Sequence, residues 1–134
     1  MAKFSSFDQK TILPPATLMG LDYGKARIGI ALTNPEQTFV FPHKTLERPK
    51  KLLATLELIN QIAQEFAISA IILGYPLNAD GSESKMCQAV RAFGNKLKNH
   101  TNLPIIYQDE RYTSLDAPSD AHAAAALLQR SVNN

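Results

Sequence analysis

The sequence has a single cysteine, Cys87, and no tryptophan. One thiol cannot form an intramolecular disulfide or a cysteine-rich zinc site, and it is typical of proteins in a reducing compartment, so we expect a cytoplasmic location. The most apolar stretch, residues 67–77, is interrupted by Ser69, Gly74 and Pro76 and is far shorter than the roughly 20 residues that span a bilayer. The sequence therefore predicts no transmembrane helix and no membrane partner, and its first ten residues do not resemble a secretory signal.

A strong charge of one sign is also missing. Fourteen Lys and Arg against twelve Asp and Glu give a net charge of +2, which permits a nucleic-acid partner without demanding one. Hydrophobic residues make up 45% of the chain and charged residues 19%, an ordinary globular composition that excludes a disordered chain. At 134 residues the chain has the length of one domain. We expect an irregular extension over residues 1–17 and a single domain over residues 18–134.

Hydrophobic periodicity predicts the element order βββαβαβα. Apolar runs at residues 18–21 and 28–32 flank a short polar stretch with glycine, which is typical of a β-hairpin, and residues 38–41 favour a third strand. The later segments predict strands at 68–73 and 103–107 and helices near 52–66, 86–97 and 119–132. Alternating strands and helices imply parallel strands joined by right-handed crossovers. The predicted fold class is α/β, a five-stranded mixed sheet flanked by helices.

Acidic residues follow the predicted strands. Asp22 comes after the first strand, Asp80 lies in the loop after the fourth, Asp109 and Glu110 follow the fifth, and Asp120 opens the last helix. Ligands of open α/β sheets bind beyond the carboxyl ends of the strands, so this topology would gather the acids at one edge. Carboxylates brought together repel unless they are protonated or neutralised by cations. Oxygen ligands favour Mg²⁺ or Mn²⁺, and a pair of such ions is suited to phosphodiester hydrolysis.

Each of these acids also has an ordinary structural interpretation. Asp22 could start a turn, and for Asp80 a turn is the favoured interpretation. For Asp120 the favoured interpretation is likewise structural, an acid at a helix N-terminus, and residues 109–111 are equally well explained as a solvated strand end with a surface ion pair. The joint placement of the acids, rather than any one of them, favours a metal site. The alanines of the last helix would let that helix approach the sheet closely and carry Asp120 towards Asp22.

Glycines and basic residues are candidates for contacts with a phosphate chain. Gly20, Gly24 and Gly29 have no side chain where a phosphate backbone could come close. The basic candidates, for which a solvated surface position is an equal alternative, are Lys25, Arg27, Lys85, Arg91 and Arg111.

The remaining residues that could carry chemistry give no catalytic pattern. The three histidines make no metal-ligand spacing. We predict His43 and His100 in loops and His122 on the surface of the last helix. Cys87 has no base near it in the sequence, so it is predicted to be a small buried hydrophobic residue.

Three segments of this chain resemble the signature segments of the YqgF (RuvX) family. They are residues 20–29 (GLDYGKARIG), 74–81 (GYPLNADG) and 109–114 (DERYTS), and the resemblance covers roughly residues 18–130. It implies an RNase H-like fold and a function described either as a Holliday-junction resolvase or as the nuclease that matures the 5′ end of pre-16S ribosomal RNA. The implied partner is a nucleic acid, either pre-rRNA or branched DNA, and we expect a monomer or a weak dimer.

The resemblance also implies roles for individual residues. The positions that match the family's catalytic acids are Asp22, Asp109, Glu110 and Asp120. The implied ligands of Mg²⁺ or Mn²⁺ are Asp22, Glu110 and Asp120. Which member of the pair 109–110 binds metal is not fixed by the resemblance, but their side chains would point to opposite faces if the strand persists, so only one should face the ions. The expected substrate-binding residues are Gly24, Lys25, Arg27, Arg111 and Thr113.

The chain departs from the family between the acidic segment and the last helix. Family members have a longer stretch there with helix and a basic loop, whereas here only residues 115–119 intervene. Either this variant lacks the basic loop, or a segment is missing between residues 115 and 120. The short basic region and the small net charge support an alternative hypothesis, a non-catalytic nucleic-acid or ribosome-assembly binding module. A phosphotransferase related to actin-like ATPases ranks last, because the chain is too short for two lobes.

Overall fold

The fold is known from a computed structural model, which describes residues 12–48, 51–111 and 119–133. The strands are β1 (Thr17–Tyr23), β2 (Arg27–Thr33), β3 (Val40–Glu47), β4 (Ile68–Tyr75) and β5 (Ile105–Asp109), and the helices are α1 (Leu52–Glu65), α2 (Lys85–Thr101) and α3 (Asp120–Asn133). All five strands form one sheet in the order β3-β2-β1-β4-β5. The predicted element order and the five-stranded mixed sheet are confirmed.

The sheet combines an antiparallel meander with a parallel half. β1 pairs antiparallel with β2 and parallel with β4, β2 pairs antiparallel with β3, and β4 pairs parallel with β5. The carboxyl ends of β1, β4 and β5 therefore lie at the same edge of the sheet. This is the edge at which open α/β sheets bind ligands.

The sheet lies between two helical layers. Because side chains alternate between the faces of a strand, Leu21 and Ile30 belong to a core under α1 and α2, whereas Leu18 and Ala31 belong to a second core under α3. Ala124 of α3 is fully buried against the second core. Each large apolar side chain buried in this way stabilises the fold by about 1.5–3 kcal/mol.

The third strand lies later in the chain than predicted. The prediction placed it at residues 38–41, but β3 begins at Val40 and continues through Pro42 to Glu47. Proline cannot donate a ladder hydrogen bond, so it is tolerated on edge strands and at bulges. β3 is an edge strand, and its register against β2 shifts between Ile30 and Ala31, where Pro42 pairs. The periodicity of residues 38–41 alone could not reveal this edge position.

The predicted positions of His43 and His100 were wrong, whereas those of His122 and Cys87 are confirmed. His43 lies in β3 with its ring edge against Phe66, and His100 lies in the last turn of α2, so neither is in a loop. α2 runs further than its apolar stripe because it continues to the left-handed Asn102, where φ is 61°. His122 is exposed on α3, and Cys87 is fully buried, as expected.

Some predictions fall outside the described residues. Residues 1–11 of the expected N-terminal extension are among them, and β1 begins at Thr17, so a domain boundary at residue 18 stays a prediction. Within the described ranges, no helix combines the length and apolar character needed to cross a membrane. The expected cytoplasmic location and the monomer or weak dimer also stay predictions.

Candidate active site

Gly29 determines where Asp120 lies. In the β1–β2 register Gly29 is the partner of Asp22, and a Cβ built on Gly29 would come within 1.8 Å of the backbone oxygen of Asp120. Only glycine therefore lets the first turn of α3 rest directly on β2. The hydroxyl of Thr45 on β3 accepts a hydrogen bond from the backbone N–H of Ala121 at 3.1 Å and holds the same turn. The strand register thus places Asp120 beside Asp22.

Gly74 has the corresponding role for Glu110. A Cβ on Gly74 would lie 2.8 Å from the carboxyl carbon of Glu110, so the Glu110 side chain passes over β4 where a larger residue would obstruct it. The backbone N–H of Glu110 donates to the carbonyl of Tyr75 at 3.2 Å, which anchors its main chain to the end of β4. The carboxyl group reaches β1, where Glu110 and Asp22 share a side-chain hydrogen bond.

The two hydrogen-bonded carboxyl groups have unusual acidity. Burial raises the pKa of Asp22, and the negative charge of Asp120 raises it further, while the hydrogen bond with Glu110 acts in the opposite direction. Burial raises the pKa of Glu110 to about 9, and the charge of Asp22 is the next contribution. Like charges in a buried site cannot both ionise without a cation. At neutral pH the Asp22–Glu110 pair therefore holds a proton.

Asp109 is placed differently from its neighbour Glu110. Its carboxylate accepts from Arg111 through Nη2 at 2.7 Å and Nε at 2.8 Å, and the Arg111 backbone N–H donates to it at 2.9 Å. Asp109 is the last residue of β5 and Glu110 follows the strand, and only one of the two acids has its carboxyl group at β1. That acid is Glu110, which the resemblance alone could not decide.

Asp120 lies near the pair, but its carboxylate is engaged elsewhere. Its Oδ2 accepts from the Nε of Arg27 at 2.7 Å, in an ion pair whose side chains are 33% and 56% exposed. Across residues 12–48, 51–111 and 119–133, no three His, Cys, Asp or Glu side chains stand as a group that could hold a metal ion. The structure therefore brings Asp22 and Glu110 together, places Asp120 beside them, and leaves Asp109 with Arg111.

The expected substrate-binding residues lie within five positions of Asp22 or Glu110 in the chain. Gly24 and Lys25 form the β1–β2 turn, Arg27 opens β2, and Arg111 follows Glu110. Thr113 lies outside the described residues, as do residues 115–118 of the shortened stretch. Asp80 is exposed and accepts from the backbone and the hydroxyl of Ser82, which is the turn role favoured for it.

Sequence reasoning missed Arg48, which holds the β1–β2 turn. Its Nη1 donates to the carbonyls of Gly24 at 3.0 Å and Lys25 at 2.9 Å, and its guanidinium lies 4.6 Å from the centre of the Tyr23 ring. Phe93 stacks against the same ring with centroids 4.3 Å apart. Arg48 follows β3, more than twenty residues after the turn, so no local pattern could have linked the two.

The carboxyl pair opens onto a recess of about 300 Å³ at the carboxyl edge of the sheet. Asp22 and Glu110 form part of its lining, and the other lining residues are Tyr23, Pro76, Leu77, Met86 and Arg111. The four uncharged lining residues were not predicted as part of a site. The sequence could have indicated them through their positions, because they lie next to the ends of β1 and β4 or at the start of α2.

A second network braces the loop on one side of this recess. The hydroxyl of Tyr75 donates to a carboxylate oxygen of Glu83 at 2.7 Å, and Arg91 donates both to that hydroxyl and to Glu83, the latter at 2.7 Å. Burial is the main cause that raises the pKa of Tyr75 to about 12, so the hydroxyl remains a donor at neutral pH. Arg91 was a candidate for phosphate contact, but the structure gives it this bracing position.

Comparison with known proteins agrees with this geometry. The sequence model of the RuvX family, described as a Holliday junction resolvase, matches residues 16–134. A relative from Bartonella quintana is 34% identical over 138 residues, which cover 91% of this chain and 86% of the relative. A relative from Burkholderia mallei is 36% identical over 131 residues, which cover 86% of each chain. Both relatives are named as candidate pre-16S rRNA nucleases.

The fold is also that of a solved structure. RuvC of T. thermophilus in complex with a Holliday junction substrate superposes with a TM-score of 0.62, covering 87% of this chain and 93% of RuvC at 8% identity. At this identity the likeness shows the fold alone, and it confirms the RNase H-like fold implied by the resemblance. With its family model spanning nearly all described residues and its relatives above 30% identity, the chain belongs to the RuvX (YqgF) family.

Proposed function

We propose that this chain is a metal-dependent nuclease that hydrolyses phosphodiester bonds at the Asp22–Glu110 pair, with the 5′ end of pre-16S rRNA as its substrate. The family and the names of the relatives support the reaction class and the substrate. The observation that carries the proposal is the shared hydrogen bond between two half-buried carboxyl groups at the carboxyl edge of the sheet. Such a pair is unfavourable as a purely structural device because burial and like charge both penalise ionisation.

The pair suits a hard divalent cation. Carboxylate oxygens are the ligands that Mg²⁺ and Mn²⁺ prefer, and a cation would neutralise the charge that a proton now compensates. Asp22 and Glu110 would hold the ion, and Asp120, whose charge acts on Asp22, would become the further ligand by exchanging its ion pair with Arg27 for the cation. When bound, divalent ions supply an activated water and stabilise the leaving oxygen.

The chain's own basic residues would position the substrate. Lys25 and Arg27 are exposed beside the acidic pair, where they can contact the phosphates on either side of the scissile bond. Such contacts fix the register of a nucleic acid without reading its sequence. Asp109 would act as a positioning residue, because its carboxylate fixes the guanidinium of Arg111 next to Glu110.

The direct test is cleavage of a labelled pre-rRNA 5′ leader in the presence of Mg²⁺ or Mn²⁺. We expect the wild-type chain to cleave and Asp22→Asn to be inactive, because the neutral amide cannot replace the carboxylate as a cation ligand. Asp80→Asn makes the same chemical change in an exposed turn and should cleave like the wild type. Cleavage that continues without a divalent metal, or that Asp22→Asn leaves intact, would contradict the proposal.

Branched DNA is a second candidate substrate. The description of the matching family model as a Holliday junction resolvase favours it. A four-way DNA junction incubated with the same variants distinguishes the two substrates.

A non-catalytic binding module stays an alternative function, favoured by the ion pair between Asp120 and Arg27. This alternative requires that Asp22→Asn still restores ribosome biogenesis in cells lacking the protein.

A further inference from the structure

We propose that the recess beside Asp22 and Glu110 binds one unpaired nucleotide, so that the strand to be cleaved must be single-stranded or flipped out at the scissile bond. This inference rests on the proposed function and names its substrate class. The recess measures about 300 Å³, which is at the lower end of the range of about 300–1,000 Å³ for small-molecule sites. A recess of this size suits one small group such as a nucleotide rather than a double helix.

The lining of the recess combines charged and apolar side chains. The carboxyl groups of Asp22 and Glu110 form the side at which a cation and the scissile phosphate would lie, whereas Pro76, Leu77 and Met86 add apolar surface. The nucleoside attached to that phosphate is the part of the substrate that would meet this apolar surface. Proteins that bind single strands hold unstacked bases against apolar and aromatic side chains in this way.

Tyr23 forms a rigid part of the lining. Phe93 stacks on its ring at 4.3 Å between centroids, and the guanidinium of Arg48 lies 4.6 Å from the ring centre. With its ring already in these two contacts, Tyr23 would contact a base through its edge, so Leu77 and Met86 are the residues left to cover the face of the base.

The loop that carries Leu77 is held in place by contacts within the protein. The Leu77 backbone N–H donates to the carbonyl of Tyr75 at 2.9 Å, and Leu77 forms an isolated antiparallel bridge with Glu83. The hydrogen bonds among Tyr75, Glu83 and Arg91 brace the same loop against α2. A preformed recess favours binding because little ordering is needed when the base enters. A base in a duplex, in contrast, must first leave the stack.

The first experiment compares three RNA ligands that differ only in pairing. They are a labelled single strand of about 12 nucleotides, within the range of known single-strand sites, the same strand in a blunt duplex, and that duplex with one bulged nucleotide. Fluorescence anisotropy is measured in EDTA with the Asp22→Asn variant, so that the RNA stays intact and no bound cation contributes to the differences among the three ligands. We expect the single strand and the bulged duplex to bind about tenfold more tightly than the blunt duplex, from the contacts of one base. Equal or tighter binding of the blunt duplex overturns the proposal.

The second experiment fills the recess. Introducing Met86→Trp into the Asp22→Asn variant should lower its affinity for the single strand and for the bulged duplex about tenfold. Its affinity for the blunt duplex should stay unchanged. Gln88→Trp places the same side chain at an exposed position of α2 outside the recess and should change nothing. Met86→Ala removes apolar surface without adding bulk, so it gives a smaller loss in the same direction even if the Trp variant fails to fold.

The outcomes separate this inference from the proposed function. An equal loss of affinity for all three RNA ligands, or no loss of affinity in either Met86 variant, overturns the proposal that the recess binds a nucleotide. Because the readout is binding by a variant expected to be inactive, an absence of nuclease activity in the wild type would refute the proposed function and leave the ligand preference measurable. A nuclease that binds all three RNAs equally would refute only the recess.

Discussion

Glu110 and Asp109 are neighbours in the chain, yet their carboxyl groups lie in opposite environments. Asp109 accepts from the guanidinium of Arg111 at 2.7 Å, whereas Glu110 is held against Asp22, and burial raises its pKa to about 9. The charge of one acid is balanced by a basic side chain of the protein, and the charge of the other is suppressed by a proton. The comparison teaches that two adjacent acids at the end of one strand can have opposite electrostatic environments, which supports the different roles proposed for them.

Removing one acid at a time gives the largest predicted effect. We expect Glu110→Gln to lower the rate of RNA cleavage by about a thousandfold, the range seen when a group that stabilises charge in the transition state is lost. Asp109→Asn should lower it by about tenfold, because the amide oxygen can still accept from Arg111. The measurement is cleavage of the pre-rRNA leader under single-turnover conditions, with folding verified by circular dichroism. An equal loss in both variants, or a larger loss in Asp109→Asn, would refute the division of roles.

Two glycine substitutions test how the acids are held in place. Gly29→Ala would place its Cβ 1.8 Å from the backbone oxygen of Asp120, and we expect it to lower the free energy of unfolding by about 3 kcal/mol, as overpacking does. Gly74→Ala meets only the flexible end of Glu110 at 2.8 Å. It should cost less than about 1 kcal/mol in stability, and yet reduce cleavage about tenfold by moving that carboxyl group.

Urea denaturation of both glycine variants beside the wild type measures the stability effects, and the cleavage assay measures the activity. A Gly29→Ala variant as stable as the wild type would show that α3 does not rest on β2. A fully active Gly74→Ala variant would show that the position of Glu110 over β4 is unimportant.

The pH dependence of stability has a definite sign. Between the ordinary Glu pKa of 4.5 and the folded value of about 9, the folded chain holds a proton that the unfolded chain has released, so the free energy of unfolding falls as the pH rises. In metal-free buffer we expect a decline of roughly 1 kcal/mol per pH unit within this window. Glu110→Gln should flatten the decline, and Asp109→Asn should leave it in place.

Urea titrations in EDTA at a series of pH values measure this effect. Stability that is constant or rises between pH 5 and 9 in the wild type would contradict the protonated Asp22–Glu110 pair.

The sequence predicted the parts of the fold that depend on local pattern. Apolar periodicity predicted the element order, and the rule that ligands bind at the carboxyl ends of strands predicted that Asp22, Asp80, Asp109, Glu110 and Asp120 gather at one edge. The structure brings Asp22 and Glu110 together there with Asp120 beside them, whereas Asp80 lies in a turn and Asp109 pairs with Arg111. The alanines of α3 correctly indicated a close approach to the sheet, since Ala121 and Ala124 are buried there.

The remaining features depend on contacts between distant segments. β3 lies later in the chain than predicted because Pro42 is tolerated in an edge strand, and the strand order is needed to know that β3 is at the edge. The support that Arg48 gives to the β1–β2 turn joins residues 24 apart in sequence. The choice between Asp109 and Glu110 depended on where β5 ends, and strand ends are poorly marked by periodicity.

Titration of the metal-free chain with Mn²⁺ tests the central claim most directly, because it measures the cation site without any substrate. Isothermal titration calorimetry should detect binding by the wild type and by Asp109→Asn with affinities within about threefold of each other, since Asp109 is already neutralised by Arg111. Asp22→Asn and Glu110→Gln should each lower the affinity by at least about a hundredfold, because each removes a carboxylate ligand. Unchanged Mn²⁺ affinity in Asp22→Asn and Glu110→Gln would contradict the account.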